Sequence, residues 1–109
     1  MAGAAFEQLT IKHSTLHTPL IAVTAGEPAG IGPDLCVLLA RRRLPARLVV
    51  VADRELLKSR ARRLGVSLKL PDFSPGAGAR SVAFSVLHVP LERPAVAGRL
   101  DPTNSRYVL

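Results

Sequence analysis

A chain of 109 residues has room for one small domain or one lobe of a larger one, and its 48% hydrophobic and 21% charged content is that of a folding globular sequence. No apolar run approaches the roughly 20 residues that cross a bilayer. The start of the chain carries Glu7, Lys12, His13 and His17 where a secretion signal would have an apolar block, and the lone Cys36 rules out an internal disulfide, so a cytoplasmic protein with no membrane partner is expected. Nine basic and two acidic residues between Arg41 and Arg63 account for the whole net charge of +7. Arginines at helix ends are ordinarily solvated, and only Phe6, Phe73, Phe84 and Tyr107 are available to stack on bases, so no nucleic-acid partner is expected.

Residues 1–19 lack periodicity, mix small and polar side chains, and read as a loose tail. Leu20–Thr24 is a short β-branched apolar run, the pattern of a strand covered on both faces in a parallel sheet. After a Gly/Pro loop, Ile31, Leu35, Leu38 and Leu39 fall on one helical face, which is expected to pack on the sheet. Pro33 and Asp34 suit that helix's first turn, Arg41, Arg42 and Arg43 its end, and Leu44-Pro45 its stop.

The run Leu48-Val49-Val50-Val51 within Arg47–Ala52 is a second buried strand. Asp53 is placed to N-cap a helix carrying Leu57, Ala61 and Leu64, and Gly65 to end it. A third strand is expected over Val66–Leu70, then a surface loop from Pro71 to Arg80, then a fourth strand in which Val82, Phe84, Val86 and His88 alternate with Ala83, Ser85, Leu87 and Val89. Strands joined through helices imply parallel pairing and right-handed crossovers. The expected fold class is therefore α/β, a parallel or mixed sheet flanked by helices. Near the end, Thr103 or Asn104 is placed to cap a helix starting at Ser105; five residues are far short of an average helix, so residues 20–109 are expected to be the first part of a longer domain, truncated at 109.

The dense chemical signal is Gly26-Glu27-Pro28-Ala29-Gly30-Ile31-Gly32-Pro33-Asp34, which puts three glycines where a strand hands over to a helix. Glycine permits tight turns and close backbone approach, and a helix N-terminus offers unpaired amides to an anion. The spacing is neither the dinucleotide-binding Gly-x-Gly-x-x-Gly nor a P-loop. Glu27 has two readings: a carboxylate facing the crevice at the carboxyl end of the first strand, or a loop residue that bonds backbone amides. Gly26, Glu27, Gly30 and Gly32 are the candidate ligand-adjacent residues. Cys36, with no base nearby in sequence, reads as buried filler. His13 and His17 have metal-pair spacing without a helix around them, and His88 reads as a sheet-face residue.

That nine-residue string resembles the N-terminal signature of the 4-hydroxythreonine-4-phosphate dehydrogenases. It departs from it at Thr24-Ala25, where the family has Thr-Pro. The resemblance continues through Leu48-Val49-Val50-Val51-Ala52-Asp53, Leu56-Leu57, Arg62-Arg63-Leu64-Gly65, Ser74-Pro75, Gly98-Arg99-Leu100 and Asn104-Ser105-Arg106-Tyr107-Val108. The shorter Gly-Ile-Gly-Pro-Asp is also similar to a run in isocitrate and isopropylmalate dehydrogenases, so the resemblance implies an incomplete fold of that type. It further implies NAD- or NADP-dependent oxidation of 4-phosphooxy-threonine, a small phosphorylated amino acid, followed by decarboxylation assisted by a divalent metal ion, in vitamin B6 (pyridoxine) biosynthesis. Family members are homodimers whose three metal-binding histidines lie beyond the region matched, so the resemblance places no catalytic or metal-ligating residue in this chain, which alone is expected to be inactive. The alternatives are a fragment of an isocitrate- or isopropylmalate-type dehydrogenase and a free-standing module that binds anions or nucleic acid.

Overall fold

The computed structural model describes residues 18–76 and 83–109. Most of the expected tail, His13 and His17 included, lies outside the described residues, as do positions 77–82 of the expected loop and fourth strand. Three strands, β1 (Leu20–Thr24), β2 (Arg47–Ala52) and β3 (Phe84–His88), form one parallel sheet in the order β1-β2-β3. Helix α1 (Gly32–Leu39) joins the first pair and α2 (Arg54–Arg63) follows β2; a 3-10 turn at Pro102–Asn104 leads into a short α3 (Ser105–Val108). This is the α/β class expected.

The register sets Ile21, Leu48 and Phe84 in one row across the sheet and Val23, Val50 and Val86 in the next. Side chains alternate along a strand, so both rows share a face. That face meets the helices: Val50, Ala52 and Val86 form one buried cluster with Ala25, Cys36 and Val37 from β1–α1 and Leu57 and Ala61 from α2. β2, with a neighbour on each side, is the buried strand. β1 is an edge, with Leu20 and Ile21 still 47% and 46% exposed, so the expectation that both its faces are covered does not hold here.

Helix α1 turns a different side to the sheet from the one its periodicity picks out. Pro33, Cys36 and Val37 are buried, whereas Ile31, Leu35 and Leu38 are exposed. An apolar stripe names one face only when the opposite face is polar, and α1 is apolar nearly all round. The helix also ends earlier than Leu44-Pro45: Ala40 is its C-cap, and Arg41 and Arg42 close turns by donating their N–H groups to Leu38 and Leu39. Helix α2 follows expectation, with Asp53 as N-cap and Gly65 in left-handed geometry (φ 67°) one residue past the C-cap.

Val66–Leu70 is not a strand. Val66, Leu68 and Leu70 pack against the core while Ser67 and Lys69 face outward, so the alternation is real although no backbone ladder forms. Pairing comes only afterwards, where Val86 donates its N–H to the Pro71 carbonyl and Phe73 donates to the Val86 carbonyl. The fourth strand anticipated from the sequence is thus β3, third in the sheet. At the far end Asn104 stands at the N-cap position of α3, one of the two expected, but its side chain makes no capping bond there; the Asp101 carboxylate accepts the Thr103 N–H and caps the 3-10 turn.

Residues 89–109 contribute little apolar surface to the core and are held by polar contacts. Asp53 Oδ1 accepts the N–H groups of Glu55 and Leu56, and Oδ2 accepts that of Leu91 at 2.8 Å. The Asp53 N–H donates to the Tyr107 hydroxyl at 2.9 Å. Asn104, 2% exposed, brackets Arg93, accepting its N–H at Oδ1 and donating Nδ2 to its carbonyl. Replacing Asp53 with Ala therefore removes a helix cap and orphans the Leu91 amide. A loss of about 1–2 kcal/mol is expected in urea unfolding, with faster hydrogen exchange at Leu91, and Asp53→Asn is expected to keep most of the cap.

Candidate functional site

Open parallel sheets bind ligands outside the carboxyl ends of their strands, and here that rim collects most of the motifs scattered along the chain. The Ala25–Gly32 loop leaves the end of β1, Asp53 stands at the end of β2, and His88 closes β3. The turn at Val96–Arg99 joins them, since Gly98 (φ 81°) donates its N–H to the Ala29 carbonyl at 2.7 Å.

Two glycines of the loop are dictated by geometry. Gly26 has φ 72°, a region that side chains disfavour. At Gly32 a Cβ atom would sit 1.9 Å from the Ala25 carbonyl oxygen, so α1 can begin against the end of β1 only without a side chain. Gly30 has more room, its nearest neighbour being the Glu27 carbonyl oxygen at 3.3 Å.

Glu27 makes the backbone bond that the second of its two sequence readings describes. Its Oε1 accepts the Ala29 N–H at 3.2 Å while its own carbonyl accepts the Gly30 N–H at 3.0 Å. Two of the loop's amides are thereby engaged internally. The first bond inside α1 is Leu35 N–H to the Ile31 carbonyl, so the amides of Ile31 and Gly32 precede the helix's own ladder and face outward from it.

The residue that sequence reasoning missed is Arg60. It lies among the basic residues taken as solvated, yet it is 3% exposed. From α2 it reaches under the loop, donating Nη2 to the Pro28 carbonyl at 2.5 Å and Nη1 to the Gly30 carbonyl at 2.7 Å, with Nη1 3.2 Å from Asp34 Oδ1. A guanidinium is suited to this task because its donors lie in a rigid fork and its charge is weakly hydrated. Its neighbours Arg41, Arg42, Arg43, Arg62 and Arg63 are exposed as expected. The apolar stretch Leu56-Leu57 ahead of it, which places that side of α2 inward, is the signal that could have marked Arg60 as buried.

His88 is the last residue of β3, on the sheet as expected, and its Nδ1 also takes the Arg54 N–H at 3.0 Å. The Arg54 guanidinium in turn pairs with Asp72 and donates to the Leu70 carbonyl. Burial pushes the Cys36 thiol above its usual pKa, in keeping with filler rather than a nucleophile. Burial also raises Tyr107, against the opposing effect of the amide it accepts from Asp53, so its hydroxyl stays neutral and fit for that bond.

Among the described residues no group of three or more His, Cys, Asp and Glu side chains is placed to hold a metal. Both Asp53 oxygens accept backbone amides and His88 Nδ1 accepts the Arg54 N–H. A cavity of about 230 Å³ lies between the start of α2 (Asp53, Glu55, Leu56, Ser59) and the Leu91–Ala95 segment. Another of about 380 Å³ is bordered by Pro94, Val96, Arg99 and Leu100–Pro102. Neither is lined by Gly26, Glu27, Gly30 or Gly32, of which Gly26 is exposed and the others half-buried. No helix among the described residues is long and apolar enough to cross a membrane.

No known family model matches the chain. Curated relatives do. A 4-hydroxythreonine-4-phosphate dehydrogenase of Chromobacterium violaceum is 56% identical over 91 residues, covering 84% of this chain and 28% of the relative. Proteins of the same name from Neisseria meningitidis serogroup A and Marinobacter nauticus are 50% and 53% identical, covering 84% and 86% of this chain and 28% and 29% of their own lengths. The chain thus spans under a third of the relatives it matches. Its fold is similar to that of a crystal structure of a 4-hydroxythreonine-4-phosphate dehydrogenase from Burkholderia phymatum, with a TM-score of 0.70 at 21% identity over 84% of this chain and 30% of that one.

Gly32→Ala is expected to unfold the chain or lower its urea midpoint sharply, because the Ala25 carbonyl is backbone and cannot swing aside. Gly30→Ala, needing a shift of tenths of an ångström, is expected to fall well short of that loss. Arg60→Met keeps bulk but orphans two carbonyls and Asp34, for an expected loss of about 2–4 kcal/mol in the same measurement.

Proposed function

The matched stretch of this chain belongs to the 4-hydroxythreonine-4-phosphate dehydrogenase family, and from that premise we propose that it forms the first lobe of such an enzyme, with the Gly26–Gly32 loop beside cofactor or substrate. The observation that carries this reading is the convergence at one rim of the sheet. The Gly-Glu-Pro-Ala-Gly-Ile-Gly-Pro-Asp string, Asp53, Gly98 and Tyr107 are far apart in sequence yet linked by hydrogen bonds there, and each belongs to a run with family resemblance.

In the complete enzyme the reaction is oxidation of the secondary alcohol of 4-phosphooxy-threonine by NAD or NADP, then loss of carbon dioxide, within pyridoxine biosynthesis in the cytoplasm. The nicotinamide takes the hydride. This chain's part is binding and placement. With Pro28 and Gly30 carbonyls turned onto Arg60, the planar peptide directs the Ile31 amide to the other side, where with Gly32 it faces an anionic group at the positive end of α1. Glu27 holds the turn and leaves the chemistry to residues elsewhere. The divalent metal ion and its ligands belong to the part of the enzyme that this chain does not span, as does completion of the site in a homodimer.

The isolated chain is expected to give no NADH or NADPH signal with the phosphorylated substrate. Joined to the remaining length of the Chromobacterium relative it is expected to turn over, and Gly30→Val in that joined enzyme to raise the KM for substrate or cofactor at least severalfold. Unchanged constants in that variant would remove the loop from the binding site.

A further inference from the structure

The described charges are sorted by position. Glu27 lies in the loop after β1, Asp34 in the first turn of α1, Asp53 and Glu55 at the start of α2, and Asp72 is paired with Arg54 there. Glu92 and Asp101 belong to the terminal segment, which is fastened to the same carboxyl rim at Ala29 and Asp53. Arg41, Arg42 and Arg43 instead follow the end of α1, Arg62 and Arg63 close α2, and Arg47 opens β2. Both helices run back from the carboxyl rim and share one buried cluster, so their ends lie side by side at the opposite, amino rim. Packed helices are roughly 8–10 Å apart, about one Debye length at physiological salt, so these arginines act as one field. None of them forms an ion pair with a described acid, and the buried Nε of Arg47 has no hydrogen-bond partner among the described residues. The other described basic residues offset the described acids, so this rim carries the net charge.

We propose that this amino rim docks on an anionic lipid bilayer, its arginines at the headgroup phosphates and two leucines entering the boundary between headgroups and acyl chains. The leucines are Leu44 and Leu64, next in sequence to Arg43 and Arg63 and each 43% exposed. They select the partner. Single-stranded bases need aromatic platforms, and no described aromatic ring stands at this rim free to serve: Phe84 packs against the core, Tyr107 reaches Asp53 and Phe73 lies beside Val86. A hydrated duplex would take the arginines and gain nothing from the leucines, whereas a bilayer surface rewards both. The expectation of no membrane partner, drawn from the lack of an apolar span, concerned crossing alone; lying on a surface needs only charge and shallow apolar tips. Docking at the amino rim leaves the Gly26–Gly32 loop, at the carboxyl rim, turned away from the lipid, and the proposal does not depend on the activity proposed above.

The test is flotation of the 109-residue chain with vesicles of pure phosphatidylcholine and of phosphatidylcholine mixed with phosphatidylglycerol. Flotation with the mixed vesicles only is expected, and its reversal by high salt. Arg42→Gln with Arg62→Gln is expected to weaken binding by about tenfold or more, since each charge near an anionic surface is worth roughly fivefold, while the urea midpoint is kept; lysine at both positions is expected to keep the binding. Leu44→Ser with Leu64→Ser is expected to weaken it severalfold at unchanged salt dependence, and Arg99→Gln, away from this rim, to leave it unchanged. Equal flotation with neutral vesicles, binding indifferent to the arginine pair or to the leucine pair, or tighter binding to a duplex RNA that the leucine pair does not affect would each overturn the proposal.

Discussion

A buried guanidinium holds the centre of this small fold. Arg60 comes from α2, yet it fixes a loop between β1 and α1 by accepting responsibility for two carbonyls and the Asp34 carboxylate. Without it those carbonyls would lie against the core with no donor, and an unsatisfied buried carbonyl is worth about 1–3 kcal/mol. That one side chain also ties α2 to the loop ahead of α1 and, through Asp34, to α1 itself. The cation tolerates burial because every strong contact it makes is to oxygen, and because Asp34 balances its charge.

Asp53 does comparable work on the other side of the rim. One carboxylate caps α2 and fastens Leu91, and the same residue's amide holds Tyr107. The terminal segment, poor in apolar contacts, is thereby tied to the best-buried strand. Polar fastening of this kind is directional, so it sets where residues 89–109 lie even though hydrophobic burial does not. It also explains how motifs separated by more than fifty residues meet at one edge of the sheet.

What was legible in the sequence follows from how local each signal is. β2, the Asp53 cap and the Gly65 stop were readable because a β-branched run, a capping carboxylate and a left-handed glycine act within a few residues. The face of α1 was not, since Leu35 and Cys36 are both apolar and only the surroundings decide which of them turns inward. Val66–Leu70 has a strand's alternation, but pairing depends on a neighbour that arrives only at Pro71. The glycine loop was recognised as a strand-to-helix turn, and its internal wiring was not: Arg60 is thirty residues from Gly30, and nothing in a basic helix end announces a buried member. The motifs nonetheless led to the family whose name the curated relatives carry.

The dependence of the Gly26–Asp34 segment on Arg60 makes this nine-residue string a poor unit of inheritance by itself. Cut out as a peptide, or grafted after a strand in some unrelated sheet, it would bring its glycines and lose the fork that orients their carbonyls. In this chain the string works together with a second helix at the proper distance. A graft meant to reproduce this turn would have to carry the arginine along with the glycines.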